Sequence, residues 1–437
     1  MTRVAVADVS DRKSSPLERS LLAIARSATD NFPNSMRARQ REAVEWIERN
    51  GLTKARDDAW RNASTVELQQ HSVTVLAAGA KAVAHWPAVA LPDSGPVLWL
   101  VNGEILTESA PIAGVRWLAL SKAIEQEPSV RAQFGAHVLL ENGFTASNVA
   151  AFADGWCLIV EPGVVVERPI ELRYLQVTAG ASALALPRVL VLAGAGSQLQ
   201  LFERHYSRTS ETSLTAEVTE IVLEPGAKVT HSRWVDHGPS TWQVATTAVS
   251  VGEGAEYHAW TASGQGRFAR HDLTVRLAGR RASAVLDGVF YARSAELSAQ
   301  YVRVWHDSTE GSTKECYRGV VENNGRGIFD GIIYVGKGAA KTDARQENRN
   351  LLLGPLSIVH TKPHLEIDND DVTCSHGATV GQLDEQQLFY LRARGIAEHE
   401  ARAVLTWAFA KEIVDRCPND MLGDLVREAL RAKEVVE

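Results

Sequence analysis

A chain of 437 residues, 45% hydrophobic and 23% charged, has the composition of a folded protein and is too long for one ordinary domain. Its formal charge of -7 carries no basic footprint, which argues against a nucleic-acid binder. No apolar run approaches the roughly 20 residues of a spanning helix, which argues against a helical membrane protein.

The N-terminus, Met1-Thr2-Arg3-Val4-Ala5-Val6-Ala7-Asp8, reaches Asp8 and Asp11 before an apolar core forms and does not read as a secretory signal. Cys157, Cys316, Cys374 and Cys417 lie far apart and are expected as reduced thiols, with the cytoplasm as the compartment. Two helices are predicted in the first fifty residues. Pro16 suits a first helical position, and Leu17, Leu21, Ile24 and Ala28 follow at helical spacing. Met36, Ala43, Val44 and Ile47 mark a second helix that stops at Gly51. From Arg56 to Gly143 the pattern is mixed and gives no assignment.

From Phe144 to Val380, runs of Val, Ile, Leu, Thr and Tyr alternate with brief turns, as strands do. Similar turns recur at Glu224-Pro225-Gly226-Ala227, Gly252-Glu253-Gly254-Ala255, Ala278-Gly279-Arg280-Arg281, Gly336-Lys337-Gly338-Ala339 and Leu353-Gly354-Pro355-Leu356. Their period is roughly 28 residues, with later intervals near half of that, which predicts two strands and two turns per coil. The expected fold is mainly β: a right-handed parallel β-helix flanked by helical terminal regions. Hairpins of a sandwich or barrel would need more Asn-Gly or Asp-Gly turns than Asn324-Gly325 and Asp287-Gly288. After Val380 the helical period returns. Asp384 and Glu385 open one helix that ends at Gly395; Ala401, Val404, Leu405, Ala408, Phe409 and Ile413 stripe the next. Met421, Leu422, Leu425, Val426 and Leu430 mark the last. The chain is thus divided into residues 1–143, 144–380 and 381–437.

Gly336-Lys337-Gly338-Ala339-Ala340-Lys341-Thr342 superficially resembles a phosphate loop. Ala340 stands where glycine is needed, and a strand rather than a helix follows, so a β-helix turn is the better reading. Asp368-Asn369-Asp370-Asp371 lacks calcium-loop spacing and reads as a solvated turn. Cys374-Ser375-His376 is sharper. Residues two apart on a strand share a face, so the thiol and imidazole would stand together as ligands for iron or zinc, or as a nucleophile with its base. His360, His364 and Glu366 lie one short coil earlier and are within reach of stacking nearby, but an ordinary Tyr/His ladder of a β-helix is the better reading of them. A packed pair with no chemistry is the competing reading of these residues taken alone.

Three motifs flank that pair: Gly325-Arg326-Gly327-Ile328-Phe329-Asp330-Gly331, Lys341-Thr342-Asp343-Ala344-Arg345-Gln346-Glu347-Asn348-Arg349-Asn350, and Thr361-Lys362-Pro363-His364-Leu365-Glu366. The run from Asp371 continues through Cys374-Ser375-His376-Gly377 to Leu388-Phe389-Tyr390-Leu391-Arg392-Ala393-Arg394. Together they resemble the SufB/SufD family of the SUF iron–sulfur cluster assembly system. Gly377 after His376 is similar to the SufD side; glutamate commonly follows that histidine in SufB. The resemblance implies a non-catalytic scaffold that pairs with a SufB paralogue through the β-helix bodies. It implies a SufC ATPase docked on the helical tail, for which Leu388, Phe389, Tyr390, Arg392 and Arg394 are the candidate contacts. It also implies that Cys374 and His376 contribute ligands to iron or a nascent cluster passing through the interface, with no cofactor held stably by the chain alone. The same edge leaves room for pairing of two copies of this chain. A SufB-type scaffold is one alternative. A β-helical carbohydrate-active enzyme is another, disfavoured by the absence of an export signal and by the amphipathic tail.

Overall fold

The computed structural model describes residues 14–28, 34–53, 57–77, 84, 86–87, 95–106, 112–178, 180–207, 209–264 and 266–432. The N-terminal stretch through Asp11 and the Leu430 side chain lie outside them. Helix α1 (Pro16–Ala28) starts where Ser15 Oγ accepts the Glu18 N–H at 3.2 Å. Helix α2 (Asn34–Asn50) ends at Gly51, whose φ of 74° is the left-handed cap that glycine adopts freely.

Four short strands follow: β1 (Thr74–Val75), β2 (Val97–Val101), β3 (Glu104–Ile105) and β4 (Val115–Ala119). Three helices come next: α3 (Leu120–Gln126), α4 (Pro128–Gln133) and α5 (Gly143–Ala151). The body then runs β5 (Trp156–Val160), β6 (Ile170–Gln176), β7 (Ala183–Ala185), β8 (Arg188–Ala193), β9 (Gln198–Ser207), β10 (Ser213–Leu223), β11 (Lys228–Asp236), β12 (Thr241–Val251) and β13 (Glu256–Ser263). It continues as β14 (Phe268–Leu277), β15 (Ser283–Ala292), β16 (Leu297–His306), β17 (Ser312–Val321), β18 (Arg326–Val335), β19 (Asp343–Leu352), β20 (Ile358–Ile367) and β21 (Thr373–Gly381). The tail is α6 (Glu385–Ala393), α7 (Glu398–Val414) and α8 (Asp420–Ala432). Among the described residues no helix is long and apolar enough to cross a membrane.

Consecutive body strands do not pair. Even-numbered strands from β8 to β20 form one parallel sheet, and odd-numbered strands from β9 to β21 form the other. Ser213 pairs with Thr241 and Lys228 with Glu256, each about 28 residues on, which is one coil of a β-solenoid. The solenoid has about 8 coils. Asp287-Gly288 lies inside β15, and Asn323 turns a corner at φ 53°; neither makes a hairpin.

One corner shows how coils stack. Gly196, Gly226 and Gly254 adopt positive φ, and each donates its N–H to a carbonyl of the next coil: Pro225, Glu253 and Arg280. Arg281, Glu310 and Lys341 continue the column at φ 58°, 61° and 61°, donating to Thr309, Ala340 and Asp371. These three are held left-handed by the stack although their side chains disfavour it.

Each sheet has an apolar outer face covered by helices. Leu17, Leu21, Ala43, Ile47, Phe144 and Val149 pack with Leu190, Leu214, Val218 and Val244 on the even sheet. The tail covers the odd sheet, where Ala410, Ile413, Leu422 and Val426 meet Phe202, Trp234, Trp260 and Val320. Val404 and Ala408 of the predicted stripe are exposed, and Thr406 and Ala410 are buried instead. Ala and Thr permit the close approach to the sheet, which rotates the larger apolar residues outward.

The two ends of the solenoid differ. At the first, β3 and β4 turn back antiparallel on β2 and β5. The β2–β3 turn is Asn102-Gly103 with φ 51° and 87°, the two positive values of a tight hairpin. At the second, β20 and β21 are edge strands with nothing paired beyond them.

Candidate functional site at the open end of the solenoid

The inner row of β19 is Ala344, Gln346, Asn348 and Asn350, all buried. Parallel register sets Cys374 beside Ala344, His376 beside Gln346, Ala378 beside Asn348 and Val380 beside Asn350. Cys374 and His376 therefore share the inward-facing row of the last coil. Cys374 packs half-buried against the apolar interior, whereas His376 is exposed because no further coil covers it. Burial pushes the Cys374 thiol up, partly offset by a backbone hydrogen bond at Ala344. A cation arriving there would have to displace the proton to gain a thiolate. A Cβ on Gly377 would meet nothing within 4 Å, so the strand beyond His376 is open on that side.

His360, His364 and Glu366 do not join this pair. They alternate with the inward residues Val359, Thr361, Pro363 and Leu365 of β20 and so face outward from the opposite sheet. His364 Nε2 and Glu366 Oε1 meet there at 3.2 Å on the surface. One coil contains two strands, so neighbours in sequence lie on different walls, and strand parity decides the face.

The Lys341 turn cannot cradle a phosphate. Gly336, Ala339 and Lys341 donate their N–H groups to His306, Gly336 and Asp371 carbonyls, and Thr342 Oγ1 donates to the Ala339 carbonyl. At the acidic turn, Asn369 Oδ1 accepts the Asp371 N–H at 3.0 Å and Asn369 Nδ2 donates to the Lys337 carbonyl of the preceding coil, so the Asn369 side chain is already committed.

On the tail, Asp384 caps α6 by accepting from Gln386 N at 2.8 Å, and α6 packs along α7. Leu388 is buried between these elements rather than presented to a partner. Phe389, Tyr390 and Val404 are 73%, 57% and 50% exposed, and Tyr390 and Val404 line one shallow surface hollow with Leu391 and Leu405. Arg392 and Arg394 flank it on the surface, with Arg394 over the Tyr390 ring at 5.1 Å.

A polar group deeper in the coil escaped sequence reasoning. Glu203, His205 and Glu217 bring ligand-type atoms within 4.8 Å of one another, all buried. Arg233 bonds both carboxylates, with Nε 3.2 Å from Glu203 Oε2, and thus already supplies the cation. Burial and then the Arg233 charge push the His205 imidazole down to about 4, so it is neutral at pH 7. The available signal was charged residues at alternate positions, Glu203 with His205 and His231 with Arg233, inside strands whose neighbours are apolar.

A family model described as SUF system FeS cluster assembly, SufBD core domain, matches residues 176–409, more than half of the chain. The iron–sulfur cluster assembly protein SufD of Escherichia coli is 31% identical over 233 residues, 53% of this chain and 55% of its own length. The chloroplastic protein ABCI7 of Arabidopsis thaliana is 30% identical over 66% of this chain and 62% of its own. An iron–sulfur cluster assembly SufBD family protein of Synechocystis is 27% identical over 67% and 66%. The chain thus spans between about half and two thirds of the length of these relatives. The matched segment begins at the end of β6 and runs through the open coil into α7, and the chain belongs to the SufBD core family of the SUF iron–sulfur cluster assembly system.

Proposed function

We propose that the chain is a non-catalytic scaffold subunit of a SUF assembly complex, offering Cys374 and His376 to iron or a nascent cluster at an interface with a SufB-like paralogue. The observation that carries this reading is the placement of a thiol and an imidazole on the inner row of an edge strand whose outer side is unpaired. Thiolate and imidazole suit iron, and two ligands make half of a site that a second chain would complete. The edges of β20 and β21 present unpaired backbone groups to the same partner. The relative named SufD supports the assignment of this chain to that side of the pair.

The Phe389–Tyr390–Val404 patch is the docking surface we assign to a SufC-type ATPase. Deleting the tail would be a poor test, because it would also bare Trp234 and Trp260 on the odd sheet. Phe389→Ala with Tyr390→Ala leaves that packing intact and should abolish capture of the ATPase subunit; undiminished capture would refute the docking assignment. For the ligand role, the complex is reconstituted with His376→Ala and cluster formation is followed by absorbance. A yield equal to that of the unaltered chain would sink it.

A further inference from the structure

A buried amide sits directly behind His376. Strands β17, β19 and β21 set Glu315, Gln346 and His376 in one inward column. Neighbours in such a column stand about 4.8 Å apart on the same face. Gln346 Nε2 donates to Glu315 Oε2 at 3.0 Å, which fixes the amide nitrogen toward β17. Gln346 Oε1 is left buried and without a hydrogen-bond partner. An orphaned buried carbonyl of this kind is costly to keep. The donor that the column places next to it is the imidazole of His376.

The opposite wall is shaped for the same amide. A Cβ at Gly331 of β18 would come within 2.3 Å of Gln346 Nε2, so only glycine leaves the amide its room across the coil. Glu315 is fully enclosed, and its Oε1 is also unpartnered. Glycine, carboxyl and amide thus hold one acceptor behind one imidazole.

We infer that Gln346 is the positioning residue of the Cys374–His376 site, with Glu315 anchoring its amide so that the carbonyl accepts one ring N–H of His376 and leaves the other ring nitrogen for a metal ion. The inference rests on the ligand role proposed above. A histidine ligand needs this arrangement: an acceptor on its far nitrogen fixes the tautomer and the ring plane and raises the basicity of the ligating nitrogen. Gln346 touches neither iron nor cluster; it acts through His376.

Co(II) serves as the probe, titrated into the reduced full-length chain and followed by the thiolate-to-cobalt absorption band. The unaltered chain should show the band, and His376→Ala should weaken binding. Gln346→Leu should weaken it about 10- to 100-fold, the usual effect of removing such an outer partner, and should also lower the thermal unfolding midpoint, because the buried Glu315 Oε2 loses its donor. Gln346→Glu, which keeps an acceptor behind the ring, should recover most of the affinity; a merely structural role predicts no such rescue. Gly331→Ala displaces the amide from the other wall and should reproduce the loss, which keeps the test open if Gln346→Leu misfolds. Unaltered Co(II) affinity in Gln346→Leu and Gly331→Ala, alongside a weakened His376→Ala, overturns the inference and leaves the ligand role standing. A chain with no band, or His376→Ala binding like the unaltered chain, sinks the ligand role and this inference with it.

Discussion

The indole Nε1 of Trp260 donates to the main-chain carbonyl of Ile413 at 3.2 Å, pinning the last turn of α7 to the outer wall of the solenoid. The contact is wholly buried and lies amid Phe202, Trp234 and Val289. Trp260→Ala should cost about 3–5 kcal/mol through the lost packing. It should also speed tryptic cleavage within α7 and α8 ahead of the body. Urea unfolding and timed proteolysis measure the two effects; a tail as protected as before would show that the helices are held by something else.

Glu315 makes stability fall as pH rises. Burial pushes its carboxyl up to about 8, opposed only by the Gln346 hydrogen bond. In the unfolded chain it ionises near 4.5, so between about pH 4.5 and 8 the folded state binds the extra proton. Its favourable contribution is full below about 4.5 and is lost as pH climbs through 8. Glu315→Gln removes this group from the balance, so its unfolding midpoint relative to the unaltered chain should improve steadily from pH 5 to pH 8. A difference that does not change with pH would place the carboxyl pKa near its ordinary value.

Lys341 continues a corner begun by glycines, at φ 61°. Its N–H donates to Asp371, so the residue cannot relax out of the left-handed region without breaking the link to the last coil. Lys341→Gly relieves a strain of about 1 kcal/mol, partly offset by the freer unfolded chain. The variant should unfold slightly later on heating, whereas Gly226→Ala near the start of the same column should unfold earlier. Calorimetry on both variants checks the pair.

Arg188 and Glu220 form an ion pair with almost no exposed surface, where Arg188 also lies 4.8 Å from the Phe134 ring. Removing the cation strands a buried carboxylate. Arg188→Met should therefore cost about 3–5 kcal/mol, and adding Glu220→Gln should restore part of it. Denaturant midpoints of the single and double variants measure the coupling; additive losses would contradict a direct pair.

The solenoid was readable because its corners repeat. Glu224-Pro225-Gly226 and Gly252-Glu253-Gly254 keep their glycines for a backbone reason, and the strands between them keep an inner apolar row. Cys374 and His376 were readable as a pair through simple alternation. What alternation could not supply was the wall. His360 and His364, close to them in sequence, sit on the other sheet, facing out, because coil geometry separates close neighbours in sequence. The hairpin at Asn102-Gly103 passed unnoticed inside a stretch with mixed patterning, although two positive-φ residues in that order are a strong turn signal. The buried Glu203–Arg233 network was hidden for a different reason: its members come together from strands β9, β10 and β11, and each alone resembles an outward-facing charge.

The unlike ends of the solenoid set a limit on how it can grow. Short reversed strands β3 and β4 finish one end, so a further coil has nowhere to add in register. The other end ends in mid-pattern, with β20 and β21 ready to template one more layer. A body with a single extensible end can be joined once, and a partner built on the same plan would bring its own single end to the junction. Such a union would leave only the short reversed strands β3 and β4 as edges among the described residues, which favours closure at two, where a solenoid open at both ends would lengthen into a fibre.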